Sequence, residues 1–151
     1  MKTLKSFLAI ISIAIAGLVT DSCDKTPING NLDGMWQLMR VEDNGISTDV
    51  STTQHYMCVQ LHLIQLTKYG DFHTGIFCHF DHKGKTLRLY DFYDRTHYVG
   101  NNIKDEKLTD ASTLWPWGIY LLDTMFQVNK LTEDALILQD PTGRVLTFRK
   151  F

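Results

Sequence analysis

The stretch Tyr56-Met57-Cys58-Val59-Gln60-Leu61-His62-Leu63-Ile64-Gln65-Leu66 decides the fold class. Met57, Val59, Leu61 and Leu63 alternate with Tyr56, Cys58, Gln60 and His62. A period of two belongs to a strand with one face buried, because successive side chains point to opposite sides of a sheet. Past Leu63 the phase slips and Ile64 and Leu66 take the apolar parity. The pattern therefore predicts one long strand over 53–67 with a bulge near Leu63.

Working outward, the same short-period pattern recurs between turn residues. Gly34 to Val41 places Trp36, Leu38 and Arg40 on one face and Met35, Met39 and Val41 on the other, and Asp43-Asn44-Gly45 is a strong turn signal. Tyr69-Gly70-Asp71 precedes an alternating run from His73 to Asp81, and His82-Lys83-Gly84 a strand at Thr86 to Phe92. Met125 to Leu131 and Ala135 to Gln139 are strands parted by Thr132-Glu133-Asp134. Asp140-Pro141-Thr142-Gly143 has the residue order of a type I turn, with Asp first, Pro second and Gly last. Arg144 to Arg149 closes the series. About eight short strands with regular turns predict an all-β antiparallel barrel or sandwich. A polar segment over 98–114 predicts a long loop or a short helix before the last strands. Met57, Leu61, Phe80, Leu89 and Phe126 are the expected interior, which hints at a filled core.

Two motifs resemble known families. Gly34-Met35-Trp36 on the first strand of an all-β chain resembles the lipocalin signature, which implies an up-and-down barrel of about eight strands over 34–151. The resemblance implies that Trp36 plugs the closed end under a basic residue of the last strand, Arg149 or Arg144. At the other extreme, Lys2 and Lys5 precede an apolar run from Phe7 to Val19, too short to span a bilayer, and Ser22-Cys23-Asp24 follows. This resembles the looser lipobox of Bacteroidetes lipoproteins. It implies that residues 1–22 are a signal peptide, that the Cys23 thiol is acylated, and that 23–33 form a polar tether. The ending from Leu131 to Leu138, with its turn and final strand, resembles small lipocalin-like lipoproteins of the same group. The implied address is the cell envelope, with the outer membrane favoured over the inner.

Removal of Lys2, Lys5 and Asp21 turns the chain's 15 basic and 17 acidic residues into 13 and 16. Mild acidity without a basic block gives no support for nucleic-acid binding. With Cys23 acylated, Cys58 and Cys78 remain, and an oxidising compartment allows them to pair. A hairpin centred on Tyr69-Gly70 misses their register by an odd offset, which sets them on opposite faces. Two buried free thiols are the expectation and a Cys58–Cys78 disulfide is the alternative. His55, His62, His73, His79, His82 and His97 include one His-x-x-His pair, His79 and His82, but residues three apart on a strand face opposite ways. No metal and no cofactor is expected. Neither a nucleophile elbow nor a phosphate loop occurs, and Asp91 and Asp94 carry no mark of an acid–base pair, so no catalytic residue is assigned.

Leu114-Trp115-Pro116-Trp117-Gly118-Ile119-Tyr120 is the richest aromatic run, with Tyr90, Phe92, Tyr93 and Tyr98 as further aromatics. Pro116 interrupts a ladder, so two readings stand: Trp115, Trp117 and Tyr120 present their rings to a ligand at an open barrel rim, or one Trp caps the core and the other covers the tethered end. The leading expectation is a lipid-anchored, non-catalytic barrel that binds a small apolar or carbohydrate ligand. The alternative is an accessory lipoprotein that acts through its outer surface on another envelope protein. An open apolar cavity would favour the first and a filled interior the second.

Overall fold

The computed structural model describes residues 27–70, 75–95, 98–99, 102–103 and 105–151. The leader 1–22, Cys23, His73 and His97 lie outside the described residues. Twelve strands follow in order: β1 (Gly34–Asp43), β2 (Ile46–Asp49), β3 (His55–Gln60), β4 (Leu63–Lys68), β5 (Ile76–Lys83), β6 (Thr86–Asp94), β7 (Tyr98–Val99), β8 (Asn102–Ile103), β9 (Glu106–Lys107), β10 (Asp123–Leu131), β11 (Ala135–Gln139) and β12 (Val145–Lys150). Eight of them run antiparallel in the order β1-β3-β4-β5-β6-β10-β11-β12, and β12 returns to β1. The β6–β10 pairing, Asp123 opposite Tyr90 through Gln127 opposite Thr86, bridges the long segment and closes an up-and-down barrel. Closure leaves those eight strands without a free edge.

Alternation fills the interior as the sequence pattern demands. Trp36, Leu38, Met57, Ile64, Leu66, Leu87, Leu89, Phe126, Leu136, Leu138, Leu146 and Phe148 are all buried in one cluster. On β6 the register slips between Phe77 and His79 of its partner, and Asp91 takes a φ of 53°. That bulge switches the parity, so Phe92 points inward after Leu87 and Leu89. Asn44 and Gly45 both have positive φ, the conformation a two-residue hairpin loop needs for its twist to match the strands. At the Asp140 turn, the side chain accepts from the Thr142 and Arg144 amides at 2.9 and 3.0 Å, and the Gly143 amide donates to the Asp140 carbonyl.

Three expectations need correction. The predicted strand over 53–67 is a hairpin: β3 and β4 pair directly, Gln60 opposite Leu63, with Leu61-His62 as the turn. The phase slip read as a bulge is the turn itself, hidden because neither residue is a usual turn former. Leu61 is consequently 56% exposed at the tip and is not an interior residue. Within the expected tether over 23–33, Gly30–Leu32 is folded as a 3₁₀ turn whose Leu32 is fully buried. Asn29 and Asp33 close this turn through two hydrogen bonds. Cys58 and Cys78 are both free, Cys78 buried and Cys58 only partly so. β4 lies between their strands, Cys78 is buried inside, and Cys58 lies opposite outward Gln65, so no bond can join them.

Candidate functional site

Strand directions fix two ends. Leu32, Trp36, the Leu61 tip and Lys150 lie at the end where the chain enters. Asp43, His55, Asp123 and the Asp140 turn lie at the opposite, distal end.

Trp36 is fully buried at the entry end, and its indole Nε1 donates to the Leu32 carbonyl at 2.8 Å. The basic residue over its ring is Lys150, with Nζ 4.7 Å from the centroid, and neither Arg149 nor Arg144. The register explains this correction. Lys150 sits directly opposite Trp36, whereas Arg149 sits opposite Gln37 and donates to Gln37 Oε1 at 3.1 Å. Gly34 is required here, because its φ is 128° and a Cβ would lie 2.8 Å from the Lys150 stem. Lys150 Nζ then reaches the Asn31 carbonyl at 3.0 Å. This constellation holds the fold together and closes one end.

The distal end is built by a 3₁₀ segment, Ser112–Trp117, placed just before β10. Pro116 halts a sheet ladder, and Gly118, at φ 74°, reverses the chain and donates to the Leu114 and Trp115 carbonyls. A Cβ on Gly118 would lie 2.4 Å from Leu146 Cδ2, and Leu146 is itself buried. The close approach drives Leu114 and Ile119 into the barrel core, where they are 0% and 3% exposed. The mouth is stoppered from above, and by Leu114 and Ile119 rather than by either Trp of the motif. Among the described residues, the clefts found open to the outside of the barrel.

The three aromatic candidates divide. Trp117 is a pin: its Nε1 donates to the Tyr56 carbonyl at 3.0 Å and its ring meets His55 edge-on at 4.9 Å. Trp115 is 54% exposed and stacks on Tyr120 with ring centroids 5.8 Å apart and planes 21° off parallel. Tyr120 also carries the Arg144 guanidinium 3.8 Å from its ring centroid. That guanidinium is nearly buried and held by Asp43 at 3.0 Å and Asp140 at 2.8 Å. Two carboxylates and an aromatic face on one Arg make a rigid base for an exposed platform. Arg144 in this role was missed; its place at the last position of the Asp-Pro-Thr-Gly-Arg turn was the available signal.

Elsewhere the polar groups cancel. A cleft of about 360 Å³ beside β6 and β10 carries two ion pairs, Arg88–Asp123 and Lys107–Asp91, both at 2.6 Å. Hydrogen bonding to these cations holds both carboxyls below the usual range, so both are ionised at neutral pH and neither is a proton donor. His79 stacks outside on Tyr90, while His82 turns inward with a buried Nε2 that lacks a hydrogen-bond partner among the described residues. Among the described residues, no three His, Cys, Asp or Glu side chains converge on a common point. Burial pushes both thiols up, Cys78 furthest, which keeps them protonated at neutral pH.

Comparison with known proteins agrees with the architecture. A lipocalin-like protein from Bacteroides uniformis ATCC 8492 superposes with a TM-score of 0.58 at 21% identity, covering 81% of this chain and 100% of that one. An uncharacterized protein from Bacteroides eggerthii DSM 20697 superposes with a TM-score of 0.54 at 15% identity, covering 79% and 98%. No curated protein matches the sequence. The family model described as a lipocalin-like domain matches residues 17–151, and the chain belongs to that family.

Proposed function

We propose that this chain is a lipid-anchored, non-catalytic protein of the bacterial envelope that acts through its outer surface on another envelope protein. The observation that carries the reading is the stoppered interior. Leu32 and Trp36 fill one end, Leu114 and Ile119 the other, and the cluster between them is apolar and buried. An eight-stranded barrel is just wide enough to be filled by its own side chains, and among the described residues this one holds a buried apolar cluster that runs from end to end. The exposed Trp115–Tyr120 platform, braced by Arg144, is then the contact surface, since rigid aromatics give large area at small entropic cost. Anchorage rests on the Ser22-Cys23 motif behind a short apolar run.

A photoactivatable residue at position 115 in living cells tests this, with one at Glu133, on an entry-end turn, as control. One discrete protein adduct from 115 and none from 133 is expected. An apolar molecule found at one-to-one stoichiometry in the purified protein would overturn the reading. The near-parallel Trp115–Tyr120 pair also supports a second reading, a carbohydrate stacked on the indole. In that case soluble glycans would shift the Trp115 fluorescence and compete with the adduct.

A further inference from the structure

The entry end carries its own apolar surface. Ile28, Leu61 and Leu63 are 63%, 56% and 43% exposed. The Asn29 amide donates to the Leu61 carbonyl at 2.8 Å, which fastens the N-terminal turn to the β3–β4 tip. Two open clefts of about 460 and 180 Å³ adjoin there and share Cys58, Gln60 and Leu61. Single exposed leucines are ordinary, but three large aliphatic side chains gathered on two adjoining turns form a patch.

Leu61 breaks a local rule as well. Its φ of 56° lies in the left-handed region, where a residue bearing a Cβ is disfavoured by roughly tenfold. Gly or Asn would relieve that strain. The leucine receives little burial within the domain in exchange. A strained, solvent-facing apolar residue at a hairpin tip points to burial against something outside the chain.

The covalent path says what that is. Pro27 lines the same cleft as Ile28 and Leu61, and Cys23 lies four residues before it. Four residues reach at most about 14 Å when fully extended. Acyl chains on Cys23 therefore hold this end, and no other, against the bilayer. We infer that Leu61, Leu63 and Ile28 form a membrane-contact surface that enters the boundary of the leaflet holding the anchor, an inference resting on the lipid-anchored reading above. A tethered surface meets its target at high effective concentration, so even a small apolar patch suffices. The contact stands the barrel on its entry end and turns the Trp115–Tyr120 platform away from the membrane.

The test uses full-length acylated protein in phosphatidylethanolamine–phosphatidylglycerol vesicles, carrying Cys58→Ser and an environment-sensitive fluorophore on Leu63→Cys. Ile46→Cys, at the distal β1–β2 turn, serves as the control position. The label at 63 should blue-shift and resist aqueous quencher, while that at 46 should not. Equal exposure of both labels in acylated protein overturns the inference. The mass of the N-terminal peptide reads acylation separately. If it is absent, the anchor reading fails, and the unacylated chain is mixed with the same vesicles. Binding there that falls about fivefold with Leu61→Asn supports the contact, and no binding overturns it. Leu61→Asn should at the same time raise the melting temperature, which a merely structural leucine would lower. Self-association abolished by Leu63→Ser would show a second copy on the patch and refute the membrane assignment.

Discussion

Leu114→Ala tests the filled barrel directly. Leu114 is fully buried and belongs to the core cluster, although it stands on a short 3₁₀ segment between strands. The substitution removes three carbons, worth about 2.4 kcal/mol of transfer free energy at roughly 0.8 per carbon. If about 40 Å³ of void survives relaxation, a cavity term near 1 kcal/mol adds to it, for a total of about 3.5 kcal/mol. In a domain of this size the melting temperature should fall by roughly 10 °C. Calorimetry and urea titration of the two proteins measure the loss. The same variant opens a dry apolar space under the stopper, and such spaces take up small apolar molecules. Leu114→Ala should therefore bind benzene or a comparable probe where the parent protein does not. A cost below about 1 kcal/mol would mean that the stopper is not packed. Saturable probe binding by the parent would mean that it opens, and either result would return the interior-ligand hypothesis.

Three other outcomes follow from particular contacts. Lys150→Ala removes the cation over Trp36 and the Asn31 hydrogen bond and should cost about 1 kcal/mol in urea unfolding, more than Arg149→Ala. A thiol reagent at pH 8 should modify Cys58 slowly in native protein and reach Cys78 only with denaturant; no thiol released without reductant would reveal a disulfide. Burial, and secondarily Lys68, hold the His55 imidazole below its usual value of about 6.5, so the unfolded chain takes up the proton first. That contribution to stability is whole above about pH 6.5 and is lost as pH falls toward the folded value, and His55→Gln should flatten this acid slope in melting temperature.

Period-two alternation made the barrel legible, because burying one face of each strand leaves a direct trace in residue order. Turns were legible where chemistry forces them, as at Asn44-Gly45 and Asp140-Pro141-Thr142-Gly143. The Leu61-His62 turn was not, because it places a leucine at positive φ against its own preference. Seven strands were therefore placed where the barrel has eight, because one was read in place of β3 and β4. Trp36 was found from its motif, but its cation was misassigned by one residue. Register decides which last-strand side chain lies across from Trp36, and a bulge between Leu38 and Arg40 shifts that register. The aromatic run lies at the end of the barrel opposite Trp36. Its inward members were unreadable, since Leu114 and Ile119 enter the core only because Gly118 packs on Leu146 from another strand.

Sequence and fold disagree most at the two ends, and for different reasons. At the distal end the disagreement is resolved inside the molecule: Pro116 and Gly118 forgo strand pairing, and the buried Leu114, Ile119 and Trp117 contacts offset the loss. At the entry end it is not resolved inside the molecule, for Leu61 combines backbone strain with solvent exposure. Natural chains depart from local preference mainly where another requirement overrides it. A requirement met within the domain shows as burial, and Leu114 shows it. One met outside the domain shows as strain without burial, and Leu61 shows that. The distinction separates a structural stopper from a docking surface without reference to sequence motifs. The aromatic motif that stood out in the sequence thus divides between a stopper, Leu114, Ile119 and the Trp117 pin, and the exposed Trp115 and Tyr120 platform, while the inconspicuous Leu-His-Leu tip is the proposed membrane contact.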